Sequence, residues 1–340
     1  MTVHVVLPAG VDDLSIPSGG NVYDRRICRE LGLRETAVAG AWPSPDAQAC
    51  EELARTLAGV PDGEVVLLDG LVACGVPDVV VPHAERLRLV VLVHLPLADE
   101  TGLEPGVAAE LDAAERRVLA AAAAVVGTSP WASRRLVEHH GLAPDRVHTV
   151  TPGVDPAPLA PGTDGVSRLL CVASVSPRKG HDVLLDALAT LVDAPWTLDC
   201  VGPPRDDHAE RLRGQVHRLG LDDRVRFTGP LHGEPLDRAY AAADLFVLAS
   251  RAETYGMVVT EALARGIPVV ASAVPDALGS GGVLVPPGDA AALAAELGRW
   301  FGDERVRSDL RDAAHQRRDE LTGWREAAES MARVLVRVRG

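Results

Sequence analysis

Lysine is nearly missing from this sequence of 340 residues, where Lys179 stands alone beside 33 arginines. Aromatic residues make up only 3% of the chain, although hydrophobic residues reach 47%. Its cores must therefore be built from Ala, Val and Leu, which suits parallel strands covered on both faces by helices. The five cysteines, Cys28, Cys50, Cys74, Cys171 and Cys200, are odd in number and scattered, with no C-x-x-C pair. That pattern excludes a disulfide framework and a cysteine zinc site, and it implies reduced thiols in a cytoplasmic setting. No apolar run matches a bilayer span, the longest being residues 118–126, and no basic segment leads into an apolar one near the N-terminus. An integral membrane segment is not expected. Positive charge is also scarce, with a formal net charge of -14. Residues 1–155 hold 12 arginines against 22 acidic side chains, and the remainder holds 22 basic against 26 acidic. A partner made of nucleic acid or anionic lipid requires a basic face, so neither is expected. The fingerprint G-x-G-x-x-G is absent, which excludes the dinucleotide site of an NAD enzyme. The eleven histidines show no H-x-x-x-H or carboxylate spacing for a metal.

What is present is an alternation of short apolar runs with helical stretches. Strands are expected at residues 3–8, 65–68, 89–94 and 124–128. A long loop through Gly19-Gly20 leads to a helix over 21–31, and another helix covers 105–121. A Pro/Gly-rich linker at 152–165 breaks the pattern. A second alternation places strands at 169–175, 197–202, 225–228, 245–249 and 268–271. Such alternation predicts an α/β protein with two Rossmann-like, doubly wound domains facing a central cleft, with ligands at the carboxyl ends of the strands.

The segment Ser250-Arg-Ala-Glu-Thr-Tyr-Gly-Met-Val-Val-Thr-Glu-Ala-Leu-Ala-Arg-Gly-Ile-Pro-Val-Val-Ala-Ser272 reads as strand end, loop and helix. The chain turns through Gly256, and the helix 257–265 is stopped by Gly266. Amide N–H groups of Tyr255, Gly256, Met257 and Val258 then form a seat for a diphosphate at a positive dipole end. Glu253 before the helix accepts hydroxyl hydrogen bonds from a hexose on one side, and Glu261 inside it accepts them from a ribose on the other. Lys179 follows a predicted strand and opens a helix at Gly180, where a cation neutralises charge developing on a leaving phosphate. Arg178 stands beside it. The plainer alternatives are a solvated Glu261, a surface Lys179, a structural strand-end His94 and a simple turn at Gly19-Gly20.

This segment resembles the E-x7-E signature of the retaining GT-B glycosyltransferases of family 4, the glycosyl transferases group 1. Ala173-Ser-Val-Ser-Pro-Arg-Lys-Gly180, Val225-Arg-Phe-Thr-Gly-Pro-Leu231, Tyr240-Ala-Ala-Ala-Asp244 and Val283-Leu-Val-Pro-Pro-Gly-Asp289 are similar to further motifs of that family in the same order. Pro152-Gly-Val-Asp155 resembles its interdomain passage. Pro17-Ser-Gly-Gly-Asn21 and Val93-His-Leu-Pro96 carry the likeness into the N-terminal half. The resemblance implies an acceptor-side domain over 1–155, a nucleotide-sugar domain over 166–318 and a helix within 319–340 crossing back to the first. It implies metal-independent, retaining transfer of a hexose from a UDP-, GDP- or dTDP-sugar to a small-molecule acceptor hydroxyl, with no cofactor. His94, Lys179 and Glu253 are the implied catalytic residues. Gly19, Gly20, Ser174, Arg178, Lys179, Leu231, Glu253, Thr254, Tyr255, Gly256, Met257, Val258 and Glu261 are the implied donor contacts. Many relatives carry Gly-Arg where Ala173-Ser174 stands, so a phosphate-binding guanidinium is missing or supplied by Arg178. A GT-B sugar-nucleotide epimerase or phosphorylase, or a non-catalytic sugar-nucleotide-binding module, would share the architecture.

Overall fold

A computed structural model describes residues 3–10, 18–204 and 207–339. Pro17 of the Pro17-Asn21 segment lies outside the described residues. The chain forms two compact units, one comprising described residues 3–10, 18–153 and 324–339, the other 154–204 and 207–323.

The first unit is built on a parallel sheet of β1 (Val3–Pro8), β2 (Arg34–Val38), β3 (Val65–Asp69), β4 (Arg88–Val93), β5 (Ala124–Gly127) and β6 (Val147–Thr149). Their spatial order is β2-β1-β3-β4-β5-β6. The interior strand β3 is buried at every residue, which its sequence Val-Val-Leu-Leu-Asp foreshadows. The edge strands β2 and β6 were not expected. Arg-Glu-Thr-Ala-Val is mostly exposed and β6 has only three residues, so neither carries an apolar signature.

The first helix runs Gly19–Leu31, not from residue 21, so the two glycines form its first turn. Ser18 precedes it in an extended conformation at φ -129°. First-turn N–H groups have no partner within a helix, and the poor helix propensity of glycine costs least there. Tyr23 of this helix is buried and donates its hydroxyl to the Val150 carbonyl at 3.0 Å. Against the same helix packs Trp324–Arg339, which buries Trp324, Ala327, Ala328, Met331, Val334 and Leu335. The Tyr23 and Trp324 rings meet edge-on at 6.0 Å, and the Arg26 guanidinium lies 5.4 Å above the Trp324 ring.

The second unit contains β7 (Arg168–Val172), β8 (Thr197–Val201), β9 (Val225–Gly229), β10 (Leu245–Leu248), β11 (Val269–Ser272) and β12 (Gly282–Val285). All pair in parallel, in the order β12-β11-β10-β7-β8-β9. This is the doubly wound Rossmann order, and its direction reverses between β7 and β10. The few aromatics serve this core: Trp300, Tyr240 and Phe246 are fully buried, with Tyr240 stacked on Phe246 at 6.2 Å. Buried Asp244 fixes the segment leading into β7 by accepting from the Thr163 N–H and hydroxyl, each at 2.7 Å, the Gly165 N–H at 3.1 Å and the Arg168 N–H at 2.9 Å.

Candidate functional site

The reversal between β7 and β10 leaves two loops side by side at the carboxyl ends of adjacent strands, the standard place for a ligand in such a sheet. Their contact is close. Gly180, at φ 64°, sits where an added Cβ would lie 2.0 Å from the Ala249 carbonyl oxygen, so only glycine fits. The Arg251 N–H donates to the Arg178 carbonyl at 2.8 Å. The Arg251 guanidinium donates to the Pro177 carbonyl at 2.7 Å and to both Asp182 oxygens, at 2.8 and 2.6 Å. One arginine thus staples the turn after β7 to the loop after β10.

Between these loops lies Glu253, whose side chain is only 7% exposed. Its Oε1 accepts a hydrogen bond from Lys179 Nζ and another from the Ser250 hydroxyl at 2.8 Å. Arg178 Nη1 stands 3.6 Å from Oε2 and donates to the Ala252 carbonyl at 3.2 Å. Burial pushes the Glu253 carboxyl toward neutrality, but the Lys179 and Arg178 charges and the two hydrogen bonds outweigh it and hold the group below the usual glutamate range. A guanidinium is therefore present beside Glu253 although position 174 is serine. Ser174 itself is half-buried and accepts the Ser176 N–H through its carbonyl at 2.9 Å.

Thr254, Tyr255, Gly256, Met257 and Val258 follow as half-buried residues. Gly256 is the N-cap, at φ 94°, and the helix it opens is Met257–Leu263, two residues shorter than expected. Arg265 falls outside it because the chain tightens there, the Arg265 N–H bonding the Ala262 carbonyl three residues back at 3.0 Å, and turns into Gly266 at φ 65°. Among the described residues no hydrogen bond brings Glu261 into the Lys179 cluster. Its Oε2 accepts from the buried Tyr240 hydroxyl at 2.8 Å, and Arg265 covers the Tyr240 ring at 4.5 Å. Burial raises the Glu261 carboxyl above its usual range against the pull of that hydroxyl and Arg265. Leu231 is half-buried against the core of the same unit.

His94 lies in the first unit and directly follows β4 instead of ending it. Its Nε2 meets Asp24 Oδ1 at 2.8 Å, with Asp69 Oδ2 at 4.0 Å. Gly20 adjoins the ring: a Cβ there would lie 3.1 Å from its Cδ2. Ligand atoms of Asp24, Asp69 and His94 lie within 4.8 Å of one another, as do those of Asp112, His139 and His140, and these are the two groups among the described residues able to hold a metal by distance. Spacing along the chain does not reveal the first group, because its members come from three separate elements. Asp24, Asp69 and the stapling Arg251 are functional candidates that sequence reading missed. Ser250, Arg251 and Tyr240 had a signal, since they lie inside the family-like segments.

Among the described residues no helix is long and apolar enough to cross a membrane. The model of the family "Glycosyl transferases group 1" matches residues 166–303, and that of "Glycosyltransferase Family 4" matches residues 64–158. D-inositol 3-phosphate glycosyltransferase of Thermomonospora curvata is 35% identical over 251 residues, which are 65% of this chain and 58% of that protein. Mannosylfructose-phosphate synthase of Agrobacterium fabrum is 30% identical over 235 residues, 61% of this chain and 51% of its own length. The matches thus span little more than half the length of these curated relatives. Among solved structures, Anabaena HepE in complex with UDP and glucose superposes with a TM-score of 0.79 at 19% identity, covering 99% of both chains, a likeness in fold. With a segment of each unit matched by these models, the chain belongs to the group 1 and family 4 glycosyltransferases and has their GT-B fold of two Rossmann-like domains.

Proposed function

We propose that the protein is a retaining glycosyltransferase that moves a hexose from a nucleoside diphosphate to a hydroxyl of a small-molecule acceptor without a metal ion. The second unit takes the donor and the first takes the acceptor. The observation that carries this is the meeting of Lys179 and Arg178 on the buried Glu253 at the switch point of the second sheet. A carboxylate kept ionised by two cations is an exchange point. A diphosphate draws the cations to its own oxygens, and the hydroxyls of a hexose donate to the carboxylate they release.

In the reaction the bond from the anomeric carbon to the phosphate oxygen breaks as the bond to the acceptor oxygen forms. The acceptor proton passes to the departing phosphate oxygen on the same face, and Lys179, Arg178 and the amides at Gly256–Val258 stabilise the charge left there. Glu253 holds sugar hydroxyls and makes no covalent bond. The names of the relatives support sugar transfer to small acceptors, D-inositol 3-phosphate in one case. The HepE structures hold UDP or UDP-glucose, which supports UDP as the first base to try, ahead of GDP and dTDP. Five free cysteines suit a cytoplasmic setting.

Thermal-shift measurements with UDP, GDP, ADP and dTDP, then with their sugar conjugates, identify the donor. NMR of the product then reads the anomeric configuration. Acceptor-dependent transfer with retention, unchanged by EDTA, is the expected result. An epimerised sugar nucleotide or phosphate-dependent cleavage would replace the assignment with an epimerase or a phosphorylase, and binding without turnover would leave a sensing module.

A further inference from the structure

Three titratable side chains meet near the carboxyl ends of β3 and β4 in the first unit. Asp24, on the helix Gly19–Leu31, has 0% of its side chain exposed, against 22% for His94. Its Oδ1 engages His94 Nε2 at 2.8 Å, and the buried carboxyl also shares a side-chain hydrogen bond with Asp69. A buried carboxylate is costly unless it is paired, and the neighbouring inward residues Ile27 and Cys28 offer no charge to pair it. The cavity beside Asp24 and Asp69 measures about 10 Å³, room for one water at most, so no organic ligand explains the acid. What it does have is the imidazole. Gly20 closes on one side of the ring, and the Tyr23 ring meets it edge-on at 5.4 Å. The other ring nitrogen, Nδ1, makes no hydrogen bond among the described residues and is not enclosed.

We propose that Asp24 is a positioning residue, locking His94 through Nε2 so that Nδ1–H is presented outward as a fixed hydrogen-bond donor to an oxyanion or hydroxyl oxygen of the substrate. This rests on the proposed function in one respect, that the first unit, which holds His94, takes a substrate. An acid-imidazole pair is also the arrangement of a general base, and proton occupancy separates the two roles. Burial alone would lower the His94 pKa, but the charge and hydrogen bond of Asp24, with Asp69 beyond, raise it to about 9. At neutral pH both ring nitrogens then carry protons, and such a ring donates but does not accept. The other groups facing the cluster do not compete. Burial and Asp24 push the Tyr23 hydroxyl well above its usual value and the Cys28 thiol to about 12, Arg25 pulling the latter back only in part. Burial, then the charge of Asp24, raises Asp69 to about 7 against the pull of His94, so it ionises across the range of the test and adds to the field of Asp24 on the imidazole.

The test is Asp24→Asn, which keeps an acceptor for Nε2–H and removes the charge. Titration of His94 by NMR in the full-length protein, with no substrate present, is expected to move from about 9 to below the ordinary 6.5. The alkaline limb of kcat/KM should shift by the same interval. The variant then works near the wild-type rate at pH 5.5 and falls tenfold or more behind it at pH 8. A purely structural role would lower the rate equally at every pH, and that result overturns the proposal. Asp69→Asn should shift the same limb in the same direction by less. If Asp24→Asn does not fold, the wild-type titration decides: a His94 pKa at or below 6.5 overturns the proposal. Activity lost to EDTA and restored by magnesium would also overturn it, pointing to a metal among Asp24, Asp69 and His94. Failure of the two readings is distinguishable. Transfer with an unshifted profile sinks the role of Asp24 alone, whereas absence of transfer with a shifted His94 titration sinks the glycosyltransferase assignment.

Discussion

Removing Lys179 would leave Glu253 with Arg178 and the Ser250 hydroxyl as its remaining partners in a site that is nearly closed to water. Truncating one member of a buried ion pair costs about 3–5 kcal/mol because the other charge stays behind. The Lys179 side chain is 14% exposed, which places the cost at the lower end of that range or below it. Lys179→Met should therefore lower the melting temperature, and the double variant with Glu253→Gln should regain most of the loss. Turnover should fall by about 10²–10³ in Lys179→Met, the scale of losing one preorganised donor to a developing oxyanion, and the double variant should not restore it. The sign of the pH effect follows from the depressed carboxyl. Its stabilisation is present above the unfolded-state glutamate value of about 4.3 and is lost as pH falls through the lower folded value. Acid titration of stability should thus be flatter in Glu253→Gln than in the wild type; an unchanged acid slope would show that the pair is not formed in solution. Lys179 and Glu253 were singled out in the sequence because each lies in a turn that follows an apolar strand and inside a segment resembling the family's motifs. Asp24 and Asp69 were not, since one reads as a polar residue inside a helix and the other as a strand-end cap, accepting the Leu71 N–H at 2.6 Å.

Between elements, the geometry depends on how tightly the turn after β7 meets the loop after β10. Gly180→Ala adds both a left-handed penalty of about 1–2 kcal/mol and a clash with backbone, which cannot turn aside as a side chain can. Nucleotide binding should be lost in calorimetry even where circular dichroism shows the fold intact. Arg251→Met isolates the staple from the clash. The Arg251 side chain is 39% exposed, and exposed ion pairs contribute about 0–1 kcal/mol, so the melting temperature should barely move. KM for the donor should rise several-fold, because the loop carrying Glu253 is no longer tied to the turn carrying Lys179. A large loss of stability with unchanged KM would reverse that ranking. The same scale explains what sequence reading found of the sheets. Central strands such as β3, β4 and β10 announce themselves because both faces are buried. The edges β2, β6 and β12 are half-exposed and carry too little apolar pattern to separate from loop, whereas the edge β9, half-exposed as well, was expected at 225–228.

For the whole molecule, chain order and compact units do not coincide. The first unit is left at residue 153 and completed only by Trp324–Arg339, while the described residues of the second are 154–204 and 207–323. The returning helix buries Trp324, Met331, Val334 and Leu335 in the first unit, together with two alanines. At about 1.5–3 kcal/mol for each large apolar side chain, the four contribute an amount comparable with the entire stability of a domain, about 5–15 kcal/mol. A chain ending at Gly323 should therefore lose the first unit: its amides should exchange freely and proteases should cut within residues 18–153. The second unit keeps its own core, including Trp300, Tyr240 and Phe246, and the cluster of Lys179, Arg178 and Glu253 lies wholly within it. Residues 154–323 alone should fold in one cooperative transition and bind the nucleotide, without transferring sugar. Should that fragment stay unfolded, or the shortened chain keep protected amides in residues 18–153, the energetic weight given to the last helix is wrong.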